Sequence, residues 1–109
     1  MPPKNIPDEV KAQVEAIVTQ FNQTVVRNPQ TIFSVRFRGK SAYLDRAGYG
    51  IVGPRGRLTY TGDMTQWDFA IYKYSDNCYD PEEWFFPGEE FVDGTVTGAM
   101  KAGMKAYDI

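Results

Sequence analysis

A chain of 109 residues, 42% apolar and 15% aromatic with a net charge of −2, is sized for one domain with a packed core, which excludes wholesale disorder. The lack of histidine and the single cysteine, Cys78, exclude an intrachain disulfide, a Ser-His-Asp or Cys-His catalytic arrangement, and any zinc or iron site built on histidine or on cysteine alone. Carboxylates, lysines, tyrosines or a bound cation are left for chemistry. There is no nucleotide-binding glycine motif, and no cofactor is expected.

Residues 1–109 read as a single domain, with 1–6 as a flexible tail. No apolar run approaches the roughly 20 residues of a membrane span. The opening MPPKNIPDEV lacks the apolar stretch of a signal peptide. A cytoplasmic location without membrane contact is expected.

Residues 7–27 carry Val10, Val14, Ile17, Val18, Phe21 and Val25 on one stripe of a helix. Pro7 suits the first turn, Asp8 and Glu9 complement the helix dipole, and Asn28-Pro29 stops the element. The period then changes to two. In TIFSVRFRG (31–39), Phe33, Val35 and Phe37 face one way, and Ser34, Arg36 and Arg38 the other. Gly39-Lys40 turns the chain into a second strand, 41–46, with Ala42 and Leu44 alternating against Tyr43 and Asp45. AGYGIVGPRGR (47–57) reads as a glycine-rich connection. RLTYTGD (57–63) is a third strand. QWDFAIYKYS (66–75) is a fourth, with Trp67, Phe69 and Ile71 on one side and Ala70, Tyr72 and Tyr74 on the other.

The stretch DNCYDPEEWFFPGEE (76–90), with six carboxylates and four aromatics, reads as mostly irregular. Asp80 could cap one helical turn at Pro81–Trp84. A second helix is expected over 94–107, with Val96, Met100, Met104 and Tyr107 on one stripe. The fold expected is α+β: an N-terminal helix, a four-stranded antiparallel meander and a C-terminal helix, with both helices on one face of the sheet. Phe33, Phe37, Leu44, Leu58, Trp67, Phe69 and Ile71 would form the core with Val14, Ile17, Val18, Phe21 and Met100.

The acidic tract is the first place to look for chemistry. Calcium loops of the EF-hand type need oxygens at positions 1, 3 and 5 and glycine at 6. Counting from Asp76, position 3 is Cys78 and position 6 is Pro81, so the pattern breaks. Glu82/Glu83 and Glu89/Glu90 are neighbours in one segment, a poor geometry for acid and base across a substrate. Cys78 sits among carboxylates that oppose a thiolate. No metal site and no catalytic residue are assigned. The aromatic members Tyr79, Trp84, Phe85 and Phe86 are read as an interaction segment that covers either the core, the arginine-bearing sheet face or another chain.

That sheet face is the second candidate. Strand alternation puts Arg36, Arg38, Tyr43, Arg57, Tyr72 and Tyr74 together, away from the core. Arginine and tyrosine are favoured at protein interfaces. They also build single-stranded nucleic-acid platforms, where cations meet phosphates and rings stack on bases. Residues 1–62 carry a net +5 and residues 63–109 a net −7, so the acidic half could neutralise this face within the molecule. GPRGR (53–57) reads as a loop needing positive φ.

The string FSVRFRGKSAYLDR followed by GRLTYTGDMTQWDFAIYKYSDNCYDPEEW resembles small bacterial domains of unknown function in which a helix precedes a four-stranded meander. The resemblance spans residues 8–80 and rests on Phe37, Gly39, Ser41, Leu44, Arg57, Thr59, Tyr60, Trp67 and Tyr72. It implies a fold and no activity. The function expected is a small non-enzymatic module binding another protein or a second copy of itself, through the Arg/Tyr face or the glycine-bearing C-terminal helix. The alternative is a single-stranded nucleic-acid-binding accessory using Arg36, Arg38, Arg57, Tyr72 and Tyr74. A carboxylate-dependent enzyme or cation binder at 76–93 ranks third.

Overall fold

Pro7 precedes the first helix, α1 (Asp8–Phe21), and its carbonyl accepts from the amides of Val10 and Lys11, 3.0 Å each. The computed structural model describes residues 5–82 and 86–107. Val10, Val14, Val18 and Phe21 are buried along α1. At Asn22 the helix widens into a π turn, Asn22–Val26, closed by the Arg27 amide on the Asn22 carbonyl at 2.8 Å. A π turn advances five residues per hydrogen bond where an α turn advances four. The inward position after Phe21 is therefore Val26, which packs on the core, and Val25 is turned out at 45% exposure. The single helical stripe through Val25 is corrected accordingly.

Among the described residues the sheet has five antiparallel strands in sequential order, not four. They are β1 (Phe33–Arg38), β2 (Ser41–Gly48), β3 (Ile51–Thr59), β4 (Asp68–Lys73) and β5 (Cys78–Asp80). The fifth lies in the tract expected to be irregular, where Tyr72 opposes Tyr79 and Ile71 opposes Asp80. The expected 47–57 connection is also strand. Only Tyr49 and Gly50 turn, both with positive φ (50° and 100°), as the mirror-image turn between twisted strands requires. Gly53 and Gly56 have no positive φ and lie in β3. Gly56 is small because a Cβ there would come 2.5 Å from Cε1 of Phe69. A β-bulge at Leu44/Asp45 leaves Arg55 as the extra residue of β3, between Pro54 opposite Asp45 and Gly56 opposite Leu44.

The helix α2 (Val96–Ala106) follows a short 3-10 turn, Glu89–Phe91. α1 packs on β1 and on α2, and α2 packs on β3. The core joins Val14, Val18 and Phe21 of α1, Phe33, Leu44, Leu58, Phe69 and Ile71 of the sheet, and Val96, Ala99 and Met100 of α2. Phe37 and Ile17, expected inside, are partly buried against it. The glycines of α2 are occupied within the fold: a Cβ at Gly103 would lie 3.3 Å from Cβ of Arg55, and one at Gly98 would collide with Asp93. The tail expected over 1–6 gives way at Ile6, which is 2% exposed and donates its amide to the Gly39 carbonyl. Among the described residues no helix is long and apolar enough to cross a membrane.

Two like turns clasp the chain before β4 and before α2. Asp63 Oδ1 accepts from the amide and hydroxyl of Thr65 at 2.9 and 2.8 Å, and Asp93 Oδ1 accepts the same pair from Thr95 at 3.0 and 2.6 Å. Thr95 Oγ1 in turn caps α2 by accepting from the Gly98 amide. The Trp67 amide donates to the Gly94 carbonyl and joins the two turns. The Thr95 hydroxyl and amide hold Asp93 below the ordinary carboxylate value, and the Thr65 amide and hydroxyl do the same for Asp63. A depressed folded-state pKa gives stability that is present above the unfolded value and lost as pH falls through the folded one. In a 13C carboxyl titration both carbons are expected to titrate below 3.8, the ordinary value. The urea-midpoint gap between wild type and Asp93→Ala should narrow as pH drops through the lowered value. Ordinary titration of both groups would count against the clasp.

Candidate functional site

Across the sheet, Arg36, Tyr43, Arg57 and Ala70 form one straight row on four successive strands. β5 extends this face by placing Tyr79 beside Tyr72. The side chains meet as strand alternation requires. The tyrosines form a ladder of edge-to-face rings. Tyr43 meets Tyr79 at 5.3 Å between centroids, Tyr79 meets Tyr72 at 5.0 Å, Tyr72 meets Tyr74 at 4.9 Å, and Tyr74 meets Tyr107 at 5.0 Å. Interplanar angles of 62–86° are those favoured by ring quadrupoles, at about 0.5–1.5 kcal/mol per pair.

Three guanidinium groups lie over rings of the ladder: Arg36 over Tyr43 at 5.1 Å, Arg57 over Tyr79 at 5.7 Å and Arg55 over Tyr107 at 5.6 Å. Arg36 also donates to Asp45, Nε to Oδ2 at 2.6 Å and Nη2 to Oδ1 at 3.3 Å. The Arg36 side chain is 61% exposed and that of Asp45 only 9%. Hydrogen bonding to Asp45 raises the Arg36 pKa further. Among the described residues the anion paired with Arg36 is therefore a β2 residue, next to the row, and not a member of the acidic tract.

Two phenols of the ladder, Tyr79 and Tyr107, are held more firmly in the protonated form. Burial pushes the Tyr79 hydroxyl up, with Asp45 adding to it and Arg36 opposing. Burial does the same for Tyr107, whose hydroxyl donates to the Tyr72 carbonyl at 2.6 Å. Tyr74 Oη donates to the Pro54 carbonyl at 2.9 Å and accepts from Arg55 Nη1 at 2.7 Å.

Of the residues expected here, Arg36, Tyr43, Arg57, Tyr72 and Tyr74 come together. Arg38 is exposed, one row away opposite Ser41, and joins no ring of the ladder. The expected interaction segment divides. Tyr79 belongs to the Arg/Tyr face, Phe86 packs on the core with its ring 6.3 Å from that of Phe69, and Trp84 and Phe85 lie outside the described residues. Glu82 donates its amide to Asp80 Oδ1 at 2.9 Å, the start of the turn expected there.

Sequence reasoning did not find Arg55, Tyr107 or the role of Asp45. Arg55 was hidden by the loop assignment of GPRGR, and Tyr107 by its place on a helical stripe. Among the described residues no group of three Asp, Glu or Cys side chains is placed to hold a metal ion, and Cys78 is an exposed free thiol. The sheet face presents cations, ring edges and phenol hydroxyls, partly exposed. No known family, curated protein or solved structure matches the chain.

Proposed function

We propose that this chain is a small, non-enzymatic cytoplasmic module that binds another protein, or a second copy of itself, through Arg36, Tyr43, Arg57, Tyr72 and Tyr79. The observation carrying this reading is the ring ladder. It fixes four tyrosines and two arginines of the sheet face in one rigid, partly exposed patch. Rigid tyrosine and arginine side chains lose little entropy on docking and dominate interface energetics. This reading takes both helices to back the sheet from the core side, which leaves the Arg/Tyr side for the contact.

Single-stranded nucleic acid is the alternative for the same face. It is disfavoured because ring faces needed for base stacking are taken by neighbouring ring edges and by Arg36 and Arg57. Arg36 is also neutralised by Asp45.

A photo-crosslinking phenylalanine analogue at Tyr43 tests the proposal. A discrete protein adduct is expected, with none from the same analogue at Glu15 on α1. Purified partner should bind wild type and lose about tenfold or more in affinity to Tyr72→Ala. Light scattering identifies the partner as a second copy if mass rises with concentration. A gel shift with a single-stranded oligonucleotide that weakens steeply with salt, without a protein adduct, would overturn the reading.

A further inference from the structure

Arg57 differs from Arg36 and Arg55 of this face in making no side-chain hydrogen bond or ion pair among the described residues. It is half-buried, and its Nε, like that of Arg55, is buried with no acceptor among the described residues. Among the described residues no carboxylate lies within ion-pair reach of it. The anions nearest along the sheet are engaged or out of register. Asp45 gives both oxygens to Arg36. Asp68 opposes Thr59, one row away. Asp80 opposes Ile71 and approaches Lys73.

The Tyr79 ring under the guanidinium offsets part of the desolvation. A ring face accepts nothing from in-plane N–H groups, however, and a buried charged donor without a partner is costly. Such a group is a site waiting for an acceptor.

We propose that Arg57 anchors an anion site that takes one carboxylate from an acidic segment of the protein partner. This rests on the protein-binding reading above and names the chemistry that the partner presents. The planar guanidinium fork matches a carboxylate with two parallel hydrogen bonds. Charge selects a carboxylate over a phosphate. One cation is uncompensated in the row, and Asp45, two residues along β2 from Arg57's cross-strand neighbour Tyr43, repels a second negative charge. The Tyr79 phenol, held protonated by burial, places no competing anion beneath the guanidinium.

The test follows the Arg57 Nε–H resonance in 1H–15N spectra at low salt. The probes are a blocked glutamate peptide, the matching glutamine peptide and inorganic phosphate. The glutamate peptide is expected to move that resonance and saturate in the millimolar range. The glutamine peptide should leave it in place, and phosphate should bind more weakly. Arg57→Gln should weaken the glutamate peptide by about tenfold or more, Arg57→Lys should weaken it less, and Lys105→Gln on α2 should match wild type. If Arg57→Gln does not fold, the wild-type resonance and Arg57→Lys still decide.

An Arg57 resonance that ignores the glutamate peptide would sink the proposal, as would tighter binding of phosphate. A partner captured at Tyr43 that binds Arg57→Gln as well as wild type would overturn the carboxylate anchor and leave the protein-binding face standing.

Discussion

Replacing Phe33 with alanine is expected to cost about 3–5 kcal/mol, the usual range for emptying a buried phenylalanine site. Phe33 is 2% exposed at the start of β1. Its ring meets Phe21 of α1 edge-on at 5.7 Å, carries the Arg46 guanidinium at 5.4 Å, and lies against Gly103 of α2. One side chain thus joins both helices to the sheet, and no neighbour can collapse into the space without moving a helix. A domain of this size has about 5–15 kcal/mol in total, so the variant should lose much of its stability. Each kcal/mol lowers Tm by about 4–8 °C in a domain of roughly this length. Phe91→Ala, on a ring 39% exposed, should cost no more than about 0.5 kcal/mol. Urea unfolding of the two variants beside wild type makes the comparison. A Phe33→Ala cost under about 1 kcal/mol would show that this ring does not join the layers.

The position of Phe33 was legible in the sequence, and the reason is physical. In 31–38 and 66–75 a two-residue period separates Phe33, Phe69 and Ile71 from Arg36 and Tyr72. Side-chain direction in a strand depends on that parity alone. The same parity brought Arg36, Tyr43, Arg57 and Tyr72 to one face. It failed where local chemistry and tertiary pairing disagree. Gly53-Pro54-Arg55-Gly56 has turn composition, yet pairing with β2 holds it extended, and the bulge there sends Arg55 toward α2. β5 is three residues, Cys78-Tyr79-Asp80, too short to show a period, and it exists because β4 offers an edge. Without β5, Tyr79 could not be placed on the Arg/Tyr face, and the ladder lacked its middle ring.

The π turn was equally hidden, and its cause supplies the second large effect. Asn22, at the junction of α1 and the π turn, treats β1 as a strand partner would. Its Oδ1 accepts from the Phe33 amide at 2.8 Å, and its Nδ2 donates to the Phe33 carbonyl at 2.9 Å. The side-chain amide thereby closes the open edge of β1 where it begins, and it does so across 11 residues, beyond any local pattern. At neutral pH an amide has the donor and acceptor side by side that meet both backbone groups, which an ionised carboxylate lacks.

Asn22→Leu should therefore cost about 2–4 kcal/mol, two hydrogen bonds plus two backbone groups left poorly satisfied. Hydrogen exchange at the Phe33 amide should rise by more than the global loss of stability explains. Asn22→Asp keeps the acceptor for the Phe33 amide but sets a carboxylate oxygen against the Phe33 carbonyl. Its penalty relative to wild type should shrink as pH falls, because a protonated carboxyl donates to that carbonyl again. The sign is that of a group whose folded pKa is raised above its unfolded value, so its relative stability is recovered at low pH. Urea midpoints for both variants across acidic pH decide the matter. A pH-independent penalty for Asn22→Asp, or Phe33 exchange unchanged in Asn22→Leu, would mean that the π turn is held by packing of Val26 and not by the edge of β1.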